Sequence, residues 1–181
     1  MKIYHYDINK YSTADLDKFS KYCHKSIRQL NPQSVIAHFF TKKILSEYYN
    51  IDIAQINFKY NQYGKPYFKD DLKFSITHTS NHVFIAFDRK DVGIDAEAIR
   101  TVNKNLLRRT ATQAEKSLLL SSDNFDLDFL KLWTIKEAYL KLAGTGLTFP
   151  LDFSAAEICE NFSVKTYLEH GCVITVIQQR Q

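Results

Sequence analysis

Val92-Gly93-Ile94-Asp95-Ala96-Glu97 and Trp133-Thr134-Ile135-Lys136-Glu137-Ala138-Tyr139-Leu140-Lys141 are the two stretches on which the reading of this chain turns. In the first, apolar residues lead into two acids. On a strand, side chains two apart share a face, so Asp95 and Glu97 point the same way. Paired carboxylates at a strand's end suit Mg2+, which takes a few carboxylate oxygens and completes its shell with phosphates and water. A strand surfacing into solvent would carry the same pair as hydrated acids. In the second stretch, Trp133, Glu137 and Lys141 recur at four-residue spacing and line one face of a helix. Phe129, Leu130, Leu132, Ile135, Tyr139, Leu140 and Leu142 make that helix apolar almost all round, which predicts burial. Buried charges need a partner or a metal. A plain Glu137–Lys141 pair supporting the helix is the structural alternative.

Two further segments can carry chemistry. Phe74-Ser75-Ile76-Thr77-His78-Thr79 alternates into a polar end whose hydroxyls and imidazole could meet phosphate oxygens, although a histidine at a strand end is commonly structural. Tyr63-Gly64-Lys65-Pro66-Tyr67 is a turn that places a lysine between aromatics. Four of the five glycines, Gly64, Gly93, Gly144 and Gly146, fall in or beside these segments, where glycine marks a tight turn or a close backbone approach.

Outward from there, Lys2–Ile8 reads as a strand and Ser12 or Thr13 caps a helix running to about Leu30, broken by Asn31-Pro32. A second helix is expected from about Ser34 to Tyr49. Short strands follow at Ile56–Tyr60, Lys73–Thr77, Val83–Phe87 and Val92–Ala96. Helices resume at Asn103–Arg109, Gln113–Ser121 and about Leu127–Ala143, before strands at Phe162–Leu168 and Cys172–Gln178. Helices then strands, twice over, predicts an α+β fold of two similar α/β halves, residues 1–101 and 102–181, joined near Arg100–Asn105.

The 181 residues suffice for one compact unit, and 45% hydrophobic with 14% aromatic content allows a sizeable core. A net charge of +4 is too mild for a dedicated nucleic-acid binder and fits an anionic ligand or an acidic partner. Cys23, Cys159 and Cys172 are odd in number and scattered, so thiols in a reducing compartment are expected rather than a disulfide framework. Neither a signal-peptide core nor a membrane-length apolar run is evident, which makes a cytoplasmic protein the expectation.

Taken together, the four segments resemble the 4′-phosphopantetheinyl transferases of the larger, single-chain type. That family's G-K-P turn, F-x-I-S-H-S strand, G-I-D-x-E strand, W-x-x-K-E-x-x-x-K helix and G-x-G-L stand here in order. They read Gly64–Pro66, Phe74–Thr79, Gly93–Glu97, Trp133–Lys141 and Gly144–Leu147, and the resemblance covers about residues 1–155. It implies the transferase fold, two halves related by pseudo-two-fold symmetry with the active site between them, and no need for a second subunit.

The resemblance also implies an activity. Such enzymes move the phosphopantetheine arm of coenzyme A onto a serine of an apo acyl or peptidyl carrier protein and release 3′,5′-ADP. By that likeness Asp95, Glu97 and Glu137 match Mg2+ ligands, and Lys141, with Glu137, matches the catalytic pair beside the phosphates. His78 matches a histidine on the 3′-phosphate, Thr77 stands beside it, and Lys65 and Pro66 match the turn beside the adenine. Glu115, in Thr112-Gln113-Ala114-Glu115-Lys116, matches a candidate general base, although a helix-start acid favoured by the dipole would look the same. The sequence departs from the family at Gln33, where an arginine usually grips the 3′-phosphate. Lys21, Lys25, Arg28 or Lys42 are its possible substitutes. A non-catalytic coenzyme A-binding or carrier-interaction module of the same fold is the competing expectation.

Overall fold

The computed structural model describes residues 1–23, 31–146, 151 and 153–180. The fold is α+β, and it is built twice from the same plan. In the first round β1 (Lys2–Asp7) is followed by α1 (Thr13–Ser20) and α2 (Pro32–Tyr49), a small hairpin of β2 (Lys59–Tyr60) and β3 (Pro66–Tyr67), then β4 (Lys73–Thr79) and β5 (His82–Asp88). In the second, β6 (Val92–Ala98) is followed by α3 (Leu107–Thr110), α4 (Gln113–Leu120) and α5 (Phe125–Ala143), then α6 (Ala155–Asn161), β7 (Phe162–Glu169) and β8 (Cys172–Gln179). Each round yields an antiparallel three-stranded sheet in which the last strand sits centrally: β1–β5–β4 and β6–β8–β7.

The strands divide between the two sheets earlier in the chain. The expected division at 101/102 would leave Val92–Ala98 with the first half. That strand pairs with β8 along its length, from Val92 opposite Gln178 to Ala98 opposite Cys172. The sheets therefore part between Asp88 and Val92, because β6 begins the second round instead of ending the first.

Local sequence explains the elements. Ser12 and Asp15 form a capping box at the start of α1. Asn31 caps α2 with Pro32 in its first turn, and Asn50 ends it in a left-handed conformation. On β5, Val83, Ile85 and Phe87 join Ile36 and Leu45 of α2 in one core, while the alternate residues Phe84 and Ala86 join Val92, Ile94, Ala96, Ile174 and Val176 in another. The two sheets thus meet face to face, with α2 outside the first and α5 outside the second.

Some expected elements differ. The strand at Ile56–Tyr60 shrinks to Lys59–Tyr60, because Ile56 ends a 3-10 turn and is fully buried. Helix α6 is new; its seven residues are too short to establish a 3.6-residue period. Helix α1 ends at Ser20, and the expected continuation to Leu30 runs into residues outside those described, as do Lys25, Arg28 and Leu147. Among the described residues no helix is long and apolar enough to cross a membrane.

Candidate active site

The site lies on the seam between β6 and α5, and Gly93 permits that seam. A Cβ at Gly93 would stand 1.9 Å from the Ala138 carbonyl oxygen and 2.7 Å from the Leu142 nitrogen, both backbone atoms of α5. Only glycine lets helix and strand approach so closely. The outward residues of β6 after Gly93 are Asp95 and Glu97, which the approach carries under the Trp133–Glu137–Lys141 face of the helix.

Asp95, 5% exposed, is the hub. Its Oδ1 accepts hydrogen bonds from the Lys141 ammonium at 2.6 Å and from the Thr77 hydroxyl at 3.0 Å. Thr77 belongs to a ladder along β4. The Ser75 hydroxyl accepts from the Ile94 N–H at 3.1 Å and the Thr79 hydroxyl from the Ala98 N–H at 3.0 Å. Three hydroxyls at alternate positions thus bridge β4 to β6, across an edge that lacks a backbone ladder. The Thr77 hydroxyl, expected beside a cofactor, turns inward to Asp95, while His78 next to it is exposed.

Glu97 accepts the Trp133 indole N–H on Oε1 at 3.1 Å and meets Arg100 on Oε2 at 3.5 Å. Burial, and then the Asp95 charge, raise its pKa above the ordinary range. Glu137 is pushed up to about 7 by burial first and by Asp95 next, with Lys141 opposing and Glu97 adding. Three carboxylates thus gather near the Lys141 ammonium, with Arg100 beside Glu97, and the like charges repel. His78 is shifted downward by burial and by the Lys141 cation, with Asp95 opposing. These couplings put His78 in the electrostatic reach of the same group.

The G-K-P turn reaches this region by docking on the end of α5. Gly144 caps that helix in the left-handed region (φ 69°). The Asn61 amide donates to its carbonyl at 2.7 Å, and the Lys65 ammonium donates to the Leu142 carbonyl at 3.1 Å. A cation at a helix C-terminus is favoured by the dipole. Gly64, Lys65 and Pro66 then line one cavity of about 250 Å3 together with Tyr63, Glu137 and Lys141. The turn and the helix motif, far apart in sequence, share a site.

Glu115 belongs elsewhere. Its carboxylate accepts from the Thr112 N–H at 2.7 Å, the Ala155 N–H at 2.8 Å and the Lys136 ammonium at 2.7 Å. Lys136 is fully buried and also donates to the Thr110 and Leu151 carbonyls. Those donors hold the pKa of Glu115 below the ordinary value despite burial. Through Glu115, the residue expected as a candidate general base, the arrangement joins α4, α5 and the start of α6. Gln33 donates its amide to the Ser80 carbonyl at 2.8 Å, two residues from His78, so the position aligned with the phosphate-gripping arginine tethers the β4–β5 turn.

Whether this site suits Mg2+ is decided by two atoms. Asp95 Oδ2 and Glu137 Oε1 are buried and have no hydrogen-bond partner. A buried unsatisfied carboxylate oxygen is costly, and a cation is the partner that both lack. Among the described residues no three Asp, Glu, His or Cys side chains close into a cage of their own. Mg2+ does not require one, since substrate phosphates and water complete its octahedron. The residues fit the ion.

The fold is thus two matched halves, with acids and a lysine gathered between strand and helix. Comparison with known proteins gives the family. Residues 91–179 match the model of the 4′-phosphopantetheinyl transferase superfamily. The chain is 30% identical over 140 residues to 4′-phosphopantetheinyl transferase Sfp of Bacillus subtilis (strain 168), covering 75% of this chain and 62% of that protein. It is 30% identical over 164 residues to 4′-phosphopantetheinyl transferase ffp of Bacillus subtilis, covering 88% and 72%. It is 32% identical over 116 residues to 4′-phosphopantetheinyl transferase HetI of Nostoc sp., covering 59% and 49%. The chain belongs to the 4′-phosphopantetheinyl transferase superfamily.

Four features escaped the sequence reading: Trp133 as the holder of Glu97, the Lys136–Glu115 pair, the hydroxyl ladder, and Gly93 as a seat for the helix. The ladder had a signal, since Ser75, Thr77 and Thr79 alternate on one face. Trp133 had one too, at four residues before Glu137.

Proposed function

We propose that this chain transfers the 4′-phosphopantetheine group of coenzyme A to a serine of an apo acyl or peptidyl carrier protein, releasing 3′,5′-ADP. The observation that carries this reading is the pair of buried, unpartnered oxygens on Asp95 and Glu137, beside a cavity that the Gly64-Lys65-Pro66 turn and Lys141 also line.

Asp95, Glu137 and Glu97 would hold Mg2+. Bound there, the ion would supply positive charge against the pyrophosphate oxygens of coenzyme A. Phosphoryl transfer is mainly positioning and charge stabilisation. Lys141 serves both: anchored on Asp95, its ammonium is held at the cavity wall where phosphate oxygens gain charge. Trp133 fixes Glu97, and Thr77 fixes Asp95, so the acids are oriented before any ligand arrives. The turn at Lys65 and Pro66 forms the wall for the nucleotide end, and His78 carries the polar strand end toward the 3′-phosphate. Glu115 acts through Lys136 by fixing α5. Acidic carrier proteins would be steered by the net charge of +4. The chain is read as a cytoplasmic monomer without nucleic-acid or membrane partners.

The test is a mass measurement. An apo carrier protein incubated with this chain, coenzyme A and Mg2+ gains the mass of phosphopantetheine. No gain across acyl and peptidyl carriers sinks the proposal, and coenzyme A binding without any gain indicates a non-catalytic module.

A further inference from the structure

A second cavity, of about 400 Å3, shares no lining residue with the one beside Glu137. It opens between the end of α1, the middle of α2 and the segment leading into β2. Its volume is of the order of small-molecule sites, roughly 300–1,000 Å3. Lys42 lines it and is 7% exposed. Among the described residues no oxygen bonds or pairs with the Lys42 ammonium, whose nearest aromatic neighbour is the Phe58 ring, 6.0 Å from Nζ to the centroid. Among the described residues no Asp or Glu lines the cavity. Burial draws the amine's pKa downward, with Cys23 opposing.

The Lys42 stem is buried while its ammonium reaches the cavity, and a partly desolvated cation with no counter-charge is unfavourable unless something compensates it. The walls say what shape the compensator has. The His38 and Phe58 rings lie 4.7 Å apart at 60°. Tyr60, half exposed, forms the rim. The Phe58 ring stands beside the lysine, His38 and Tyr60 line the same cavity, and the three suit a flat apolar body. Of the two lysines in the lining, Lys21 is exposed and Lys42 buried, so the inner end carries one positive charge and favours a monoanion over a phosphate monoester.

We propose that this cavity binds a small aromatic monocarboxylate, its carboxylate on Lys42 and its ring against Phe58 and Tyr60, apart from the transferase site. The geometry places the polar end inside and the ring toward the opening at Tyr60.

The experiment titrates benzoate and, separately, inorganic phosphate into the full chain by calorimetry, with and without saturating coenzyme A and Mg2+. Saturable binding of one benzoate per chain, tighter than phosphate and unchanged by coenzyme A, is expected. Lys42→Met raises the benzoate Kd at least tenfold, whereas Lys165→Met on exposed β7 leaves it unchanged. Absence of saturation, equal benzoate binding by Lys42→Met, tighter phosphate binding, or displacement by coenzyme A overturns the proposal. Lys42→Met also melts at a higher temperature than wild type without ligand; a lower one contradicts an uncompensated charge. Tyr60→Ala, an exposed change, weakens benzoate severalfold with the fold intact, and unchanged affinity there removes the ring contact.

Discussion

Lys141 and Thr77 both donate to the same oxygen of Asp95, at 2.6 and 3.0 Å, and leave its other oxygen buried with no partner. One half of the carboxylate is spent on orientation and the other is reserved. Thr77→Val removes one orienting bond while keeping the volume, so the protein stays folded, losing about 1 kcal/mol. Carrier modification slows about tenfold, chiefly in kcat, because the acid is less well aimed. Steady-state kinetics beside a thermal melt check this. An unchanged kcat would show that the hydroxyl serves only the β4–β6 junction.

Gly93→Ala is expected to be among the most damaging single changes available. The added methyl meets backbone of α5 on two sides, which no side-chain rotation relieves. Overpacking of this kind costs roughly 1–3 kcal/mol and occasionally more. Denaturant unfolding should show a loss at or above the top of that range, with transfer lost in parallel. A melt within a degree of wild type would mean that α5 does not sit on this strand as described.

Glu115 and Lys136 form a nearly closed buried pair, and the fate of the pair separates structure from chemistry. Removing one partner leaves an uncompensated buried charge, with a cost of roughly 3–5 kcal/mol. Lys136→Met and Glu115→Gln are each expected to lower the melting temperature strongly. The double variant recovers part of the loss, and transfer recovers with it. If Glu115 took the serine proton, Glu115→Gln would instead abolish kcat at wild-type stability.

A histidine cluster gives the fold a pH dependence away from the site. His5 Nε2 lies 3.0 Å from His82 Nδ1, and His170, on the β7–β8 turn, stacks on the His5 ring at 3.8 Å. Burial first, then the charges of His170 and His82, depress the His5 pKa below 6.5, while Asp7 and Glu169 oppose. A histidine depressed in the fold takes up a proton more readily when unfolded. Its contribution is therefore complete above pH 6.5 and is lost as pH falls through the folded value. Melting temperature should fall between pH 7.5 and 5, and less so in His5→Phe. Parallel curves for the two proteins would contradict this.

How much of this was legible beforehand depended on range. Asp95 and Glu97 on one face, and Trp133, Glu137 and Lys141 on another, follow from strand and helix periods, which are local. The doubling of the fold was legible as a rhythm of elements, whereas the pairing of Val92–Ala98 with Cys172–Gln179 was not, because no local signal names a strand's partner. The partners of Thr77, Glu115 and Lys65 were not legible for the same reason. Each has a local setting that fits a ligand contact, and each is claimed by a distant group: Asp95, Lys136 and the Leu142 carbonyl.

The central claim is that the unpartnered oxygens of Asp95 and Glu137 hold Mg2+ together with the pyrophosphate of coenzyme A. Calorimetric titration of Mg2+ into the chain saturated with coenzyme A tests it directly, with Glu137→Gln alongside. The account predicts one strong site in wild type, at least a hundredfold weakening in Glu137→Gln, and a variant that melts at or above the wild-type temperature without metal, since a buried unpaired acid has been neutralised. Equal Mg2+ affinity in the two proteins would contradict it.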